Sequence, residues 1–254
     1  MVANGTPFAD SPAETAFRTW LQAAWLDSGC TQDFTCLYQP ASSTSVSMMV
    51  RGVSGHKVNV WWGDGNSDSY TPSDFSNTTV SHTYGSAAKR PIVILGRVTS
   101  WEGPSQAYGG RLWENLRSLT YVNCNGATNV SGRVDTLPAL VSNINCGDCT
   151  LVSGDVTRAP AGVVYADLWR CPVVYRTSGG RAWADRMEYV GINPPTSGVF
   201  TSAMVDALLI DLSGVATWSG AKLIYAAGSC GAPTSAADAA IDSLLSKGVT
   251  VNTN

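Results

Sequence analysis

The sequence predicts a β-rich α+β protein: an N-terminal helix, a module of short strands, and a back half of repeated coils closed by helices. Three observations carry this. Of 254 residues, 44% are apolar and 14% charged, with 25 glycines, well below the roughly 25% charge of ordinary domains and rich in turn formers. Apolar and polar residues alternate between about Thr44 and Trp101, the period of half-buried strands. Finally, Val130-Ser-Gly-Arg-Val134 with Leu137-Pro138 recurs further along as Val152-Ser-Gly-Asp-Val156 with Ala159-Pro160, every position at the same offset, the self-similarity of a solenoid.

The first helix is expected over residues 11 to 28. Ser11, Pro12 and Glu14 read as a capping box, Phe17, Trp20, Leu21, Ala24 and Trp25 recur at helical spacing, and Gly29 ends the element. Its aromatic face is expected to dock on the body of the same chain; a partner subunit is the alternative. Strand signals follow at Val46, Met48 and Val50, at Val58, Val60 and Trp62, at Val80, His82 and Tyr84, and in the run Ile92 to Leu95. Asp64-Gly65 marks a tight turn. Asp64, Asn66 and Asp68 lack the companion Gly and Glu of a calcium loop, Phe75 standing in the Glu position, so Asp64 is expected to accept from turn N–H groups.

The run Val58-Asn-Val-Trp-Trp-Gly-Asp-Gly, then Ser81-His-Thr-Tyr and Ile92-Val-Ile-Leu-Gly, is similar to the PKD-like β-sandwich modules of bacterial and phage surface proteins. That resemblance covers the stretch of alternating strands from about Thr44 to Trp101 and implies a non-catalytic spacer or adhesion role. Further on, Leu116, Leu119, Tyr121 and Cys124, then Val141, Ile144, Cys146 and Cys149, then Val163, Ala166, Leu168 and Cys171 resemble leucine-rich repeats, with weaker copies ending at Pro195 and Cys230. On that template Cys124, Cys149 and Cys171 stack, buried and reduced, each able to donate a weak hydrogen bond to a neighbouring coil. Two helices follow, one opened by Ser202 and stopped by Gly214 with Met204, Val205, Leu208, Leu209 and Leu212 expected inward, one opened by Ser235 and closed by Gly248 with Ile241, Leu244 and Leu245 as its apolar stripe. Val205 to Leu212 and the ending from Ala232 to Asn254 resemble the terminal cap of repeat proteins from tailed phages, prophages and environmental bacteria. The chain is thus read as a docking segment (1–42), a PKD-like β-sandwich (43–111) and a leucine-rich-repeat-like solenoid with helical cap (112–254).

Chemistry is sparse. Four Glu, two His and four Lys give few acid/base groups, and serine-hydrolase, P-loop, zinc-protease and dinucleotide motifs are missing. Ser86-x-x-Lys89 and Ser219-x-x-Lys222 lack companion motifs. Seven cysteines with only one C-x-x-C, Cys146 to Cys149, and both histidines far upstream argue against a metal site. No cofactor or metal is expected, and the chain is read as not an enzyme. A net charge of −3 with scattered Arg disfavours nucleic acid, and neither a secretory leader nor an apolar run long enough to span a bilayer is visible.

What remains is a surface. Thr120, Val122, Asn143, Asn145, Tyr165, Asp167, Trp169, Tyr189 and Asn193 are expected to point outward from neighbouring short strands, a ribbon mainly of amide, carboxylate and aromatic groups suited to sugar or protein recognition. The expected function is a non-enzymatic structural or adhesive protein of a tailed-phage virion, made in the host cytoplasm, serving protein–protein assembly or host-surface recognition. Expected partners are other virion or surface proteins, a second copy of the chain, or a glycan or host receptor. The alternative is a bacterial cell-surface adhesion or carbohydrate-binding repeat protein.

Overall fold

The computed structural model describes residues 12–27, 34–39, 44–72, 78–102, 108–109, 113, 115–128 and 130–254. Ser11, Gly29, Cys30 and Phe75, and the expected domain borders at 42/43 and 111/112, lie outside them, as do the side chains of Pro12, Glu14 and Cys36. Helix α1 (Pro12–Asp27) precedes strands β1 (Phe34–Gln39), β2 (Ser45–Gly52), β3 (Val58–Trp61), β4 (Ser67–Tyr70), β5 (Thr78–Thr83), β6 (Arg90–Leu95), β7 (Val98–Glu102) and β8 (Tyr108–Gly109). Then follow β9 (Tyr121–Asn123), β10 (Ser131–Arg133), β11 (Asn143–Asn145), β12 (Leu151–Asp155), β13 (Tyr165–Trp169), β14 (Val173–Val174) and β15 (Arg186–Asn193). Helix α2 (Ser202–Ser213), β16 (Thr217–Ala226), α3 (Asp238–Ser246) and β17 (Thr250–Thr253) complete the chain.

The protein is a β-rich α+β fold with an N-terminal helix, helices near the C-terminus and a large mixed sheet. Nine strands in the order β17-β16-β15-β13-β11-β9-β7-β2-β5 form that sheet, with antiparallel pairing around β2 and parallel pairing from β7 to β17. An antiparallel five-stranded sheet, β4-β3-β6-β1-β8, and a parallel three-stranded one, β10-β12-β14, accompany it. The period-two expectation holds well in β2, whose residues alternate exposed and buried up to Val50. One continuous apolar core joins Val60, Trp62 and Ile94 from the front half to Ile144, Leu168 and Leu208 from the back.

Two expectations are overturned here. The front half does not close as a separate PKD-like module, because its strands β2, β5 and β7 are one end of the nine-stranded sheet and β7 pairs directly with β9. The back half is not a leucine-rich-repeat-like solenoid. Tyr121, Asn143 and Tyr165 do recur at one constant offset as register partners, but Tyr189, Leu223 and Thr250 follow at longer and unequal offsets. The repeated Val-Ser-Gly copies also fall out of phase, since Ser131 pairs with Leu151 and not with Ser153. The constant spacing is confined to β9, β11 and β13 within a mixed sheet.

Helix α1 docks on the same chain. Phe17 and Trp20 pack on each other and on Trp61, with ring centroids 5.6 to 5.8 Å apart, while buried Ala24 offers its carbonyl to Asn59. Each aromatic pair contributes about 0.5–1.5 kcal/mol beyond area burial. At the other end, α2 buries Val205, Leu208, Leu209 and Leu212 as its spacing predicts. Thr201, not Ser202, is its N-cap residue, and Thr234 caps the turn ahead of α3 by accepting from Ala236 N. Leu245 of α3, expected inward, is exposed.

A buried cation locks the connections on the side of the small sheet. Arg181 donates to the carbonyls of Val156, Thr157, Ala159 and Pro160 at 2.6–3.3 Å, and its guanidinium lies over Trp183, 4.1 Å from the ring centroid. Asp211 holds the same segment by accepting from Gly180 N, Arg181 N and the Tyr175 hydroxyl. Carbonyl dipoles serve the two terminal nitrogens of this buried charge, while its buried Nε makes no hydrogen bond among the described residues.

Candidate recognition face

The outer surface of the nine-stranded sheet is ordered by register. One row runs Tyr121, Asn143, Tyr165, Tyr189, Leu223, and a second, two positions further along each strand, runs Glu102, Asn123, Asn145, Asp167, Gly191, Tyr225, Asn252. Between the rows, Val122, Ile144, Ala166, Val190 and Ile224 point into the core and are buried; Val122, expected outward beside Thr120, therefore belongs to the core because the β9 register pairs it with Ile144, out of step with the template. Alternation along each strand makes this division, and successive positions in a row stand about 4.8 Å apart.

The side chains in the rows interact. Tyr165 stacks on Tyr189 with centroids 5.0 Å apart, and Trp169 meets Tyr225 at 4.9 Å across the intervening strand β15. Gly191 leaves room for this cluster: a Cβ there would stand 2.3 Å from the Tyr189 hydroxyl oxygen. Asn125, beyond the end of β9, donates its side-chain amide to Asn145 Oδ1 at 3.1 Å and its backbone N–H to Asn123 Oδ1 at 3.2 Å. A depression of about 340 Å³ next to this end is bounded by Met49, Thr79, Glu102, Asn123 and Asn125. The face therefore has an aromatic end and an amide end.

Electrostatics follow partial burial. Burial, then the nearby Asp167 carboxylate, pushes the Tyr189 hydroxyl up to about 12, and the same two causes raise Tyr165. Burial raises Tyr121, with Glu102 adding to it against hydrogen bonds to Asn123 and Asn145. Asp167 is itself raised, chiefly by burial and further by Asp148, although the Trp169 N–H donates to it. The face thus presents hydrogen-bonding tyrosines near two carboxylates, Glu102 beside Tyr121 and Asp167, whose ionised form is disfavoured, beside Tyr165 and Tyr189.

The expected residues fall as follows. Asn143, Asn145, Tyr165, Asp167 and Tyr189 occupy the two rows, and Trp169 and Asn193 are register partners one step further on. Asn193 accepts from Ser229 N and so also holds a turn. Thr120 lies just ahead of β9, exposed, with its hydroxyl donating to Thr99 O, and the β9 members of the rows are Tyr121 and Asn123. Sequence reasoning missed Tyr121, Asn123, Tyr225 and Glu102. The template places Tyr121 inward and aligns Cys124 with Cys149; the offset that carries Asn143 to Tyr165, applied backwards from Asn143 and Asn145, finds Tyr121 and Asn123.

The cysteines explain that slip. Cys124 adjoins Cys146, their sulfur atoms 3.0 Å apart, whereas the Cys149 thiol donates to Cys124 O at 2.7 Å and the Cys171 thiol to Cys146 O at 2.9 Å. All four are free and buried, and burial drives the Cys171 thiol far up. Cys146 and Cys149 sit near the end of the same strand, so Cys124 has two alignments by residue type and only one by backbone pairing. Elsewhere, Asp64 caps its turn as expected, accepting from Asn66 N at 3.0 Å, and also pairs with His82 Nε2 at 2.8 Å, which stacks on Trp62.

No family model, no curated protein and no solved structure matches this chain. The PKD-like, leucine-rich-repeat-like and phage-cap resemblances of short segments thus do not extend to family membership. Among the described residues, no group of three or more His, Cys, Asp or Glu is placed to hold a metal ion, and no helix is long and apolar enough to cross a membrane.

Proposed function

We propose that this chain is a non-enzymatic structural or adhesive protein that meets its partner through the outer face of the nine-stranded sheet, in the setting of a tailed-phage virion. The observation that carries the reading is the pair of aligned rows, with Tyr165, Tyr189, Trp169 and Tyr225 at one end and Asn123, Asn125 and Asn145 at the other. Aromatic rings supply contact area at low entropic cost, and amides supply directional hydrogen bonds. A sheet holds both at fixed spacing, which suits assembly with other surface proteins, with a second copy of the chain, or with a host receptor. Free buried thiols fit a protein made in a reducing compartment.

A second reading, bacterial cell-surface adhesion through carbohydrate, is favoured by the aromatic pairs, since sugar rings stack on such faces. Fractionation separates the two: sedimentation with purified particles is expected, and confinement to the cell envelope contradicts the virion setting. Turnover of any polysaccharide by the purified protein contradicts both.

A further inference from the structure

The 3.0 Å between the sulfur atoms of Cys124 and Cys146 is shorter than the roughly 3.5–4.0 Å at which even non-bonded carbons rest and longer than the ~2.05 Å of a disulfide. Backbone pairing sets this approach. Asn123 and Asn145 are register partners, and Cys124 N donates to Asn145 O at 2.8 Å, so the next residue of each strand shares the next parallel rung. Neighbouring strands lie about 4.8 Å apart, within the ~4.4–6.8 Å Cα separation that a disulfide spans. Bonding these sulfurs requires a side-chain adjustment and no change of register.

We propose that Cys124 and Cys146 form a reversible thiol–disulfide pair, oxidised within the folded chain by a hydroperoxide. One sulfur attacks a peroxide oxygen; the O–O bond breaks, the sulfur becomes a sulfenic acid and the first water leaves. The second thiol attacks the sulfenic sulfur, the S–S bond forms, the S–O bond breaks, and the second water leaves with the thiol proton. The pair gives up two electrons and two protons, and hydrogen peroxide is reduced to two waters. Cys171 donates to the Cys146 carbonyl; Cys149 donates to the Cys124 carbonyl and also meets the Cys124 thiol, so a Cys124–Cys149 link is the competing product that the test must separate.

Access governs the rate. Cys124 and Cys146 are 1% and 0% exposed, and hydrogen bonds with Cys146 and Cys149, then burial, hold the Cys124 thiol well above its ordinary range. Oxidation therefore proceeds through local opening, and a small peroxide outcompetes bulkier oxidants. The bond ties together two neighbouring strands and the connection between them, which restricts the unfolded chain and raises the melting temperature.

The test treats the full chain with hydrogen peroxide, using oxidation of exposed Met49 as the dose control. It then alkylates remaining thiols in denaturant and maps tryptic peptides without reduction. Cys124 lies on peptide 118–133, Cys146 and Cys149 on 134–158. The expected product links these two peptides, is two hydrogens lighter than their sum, disappears on reduction, persists in Cys149→Ser and is lost in Cys146→Ser. The proposal is overturned if Cys124 stays fully alkylatable at doses that convert Met49 to its sulfoxide, or if the link joins Cys146 to Cys149, or if it persists in Cys146→Ser.

Discussion

The ring of Tyr165 stacks on that of Tyr189 across the β13–β15 register pair, with planes 24° apart. This contact fixes one ring of the face against the next. Replacing Tyr165 by Ala should cost at most about 1 kcal/mol of stability, the scale of a cross-strand pair, because the ring is only half-buried. Denaturant titration checks that figure; a loss of several kcal/mol would make Tyr165 a core residue instead of a surface one.

Gly191 offers a subtler probe of the same cluster. An added methyl must displace the outer edge of the Tyr189 ring together with its hydroxyl, whose atoms would stand 2.3–2.8 Å away, a side chain and not backbone. Gly191→Ala is expected to change the tyrosine environment seen by near-ultraviolet circular dichroism while leaving the far-ultraviolet spectrum and the melting midpoint nearly intact. Cooperative unfolding at a much lower temperature would contradict this packing.

How much of the molecule is legible in its sequence depends on the kind of signal. Alternation at Val46, Met48 and Val50 names β2, and the aromatic stripe of α1 names a buried face, because each is a local pattern imposed by burial. Which strands pair is not local: nothing in Val98–Glu102 says that β7 accepts β9 as a parallel neighbour, so one sheet reads as two modules. The candidate face is legible in part, at Asn143, Asn145, Tyr165, Asp167 and Tyr189, where the repeat spacing and the register nearly agree. Tyr121 and Asn123 are lost when cysteines are matched by type. Arg181 gives no warning, since the four carbonyls it serves lie 21 to 25 residues away.

That arginine yields a strong prediction. Arg181→Met keeps much of the apolar stem but leaves four carbonyls without their donor, three of them, Val156, Ala159 and Pro160, in buried bonds. The expected loss is about 3 kcal/mol or more, and Lys should not restore it, because an ammonium lacks the planar fork. Chemical denaturation of the two variants checks this, and a variant within about 0.5 kcal/mol of the parent would show that the network is dispensable.

The Asp64–His82 pair predicts an acid dependence. Burial raises Asp64, but hydrogen bonds from His82 and from the backbone and side chain of Asn66 outweigh it, and the carboxyl is held below its ordinary value of 3.8. A lowered folded pKa contributes stability that is present above the unfolded value and lost as pH falls through the folded one. Parent and Asp64→Asn should therefore differ at neutral pH and converge below about pH 3.8. A difference that stays constant from pH 7 to pH 3 would contradict the assignment.

Asp167 carries the opposite sign. Its raised pKa, from burial first and Asp148 next, means that the ionised form is disfavoured in the folded state, so its contribution weakens as pH rises through the folded value. Asp167→Asn should melt higher than the parent at pH 7, with the gain shrinking in acid. A lower melting temperature at pH 7 would mean that the carboxylate is held by a partner.

The most direct test of the central claim compares the parent with Trp169→Ala and Tyr165→Ala for binding to glycan arrays, to purified particles and to itself. At least one of these surfaces is expected to bind the parent and to lose tenfold or more in affinity, about 1.4 kcal/mol, in both variants while their melting temperatures stay near the parent's. Binding that survives both substitutions unchanged would place recognition elsewhere on the molecule.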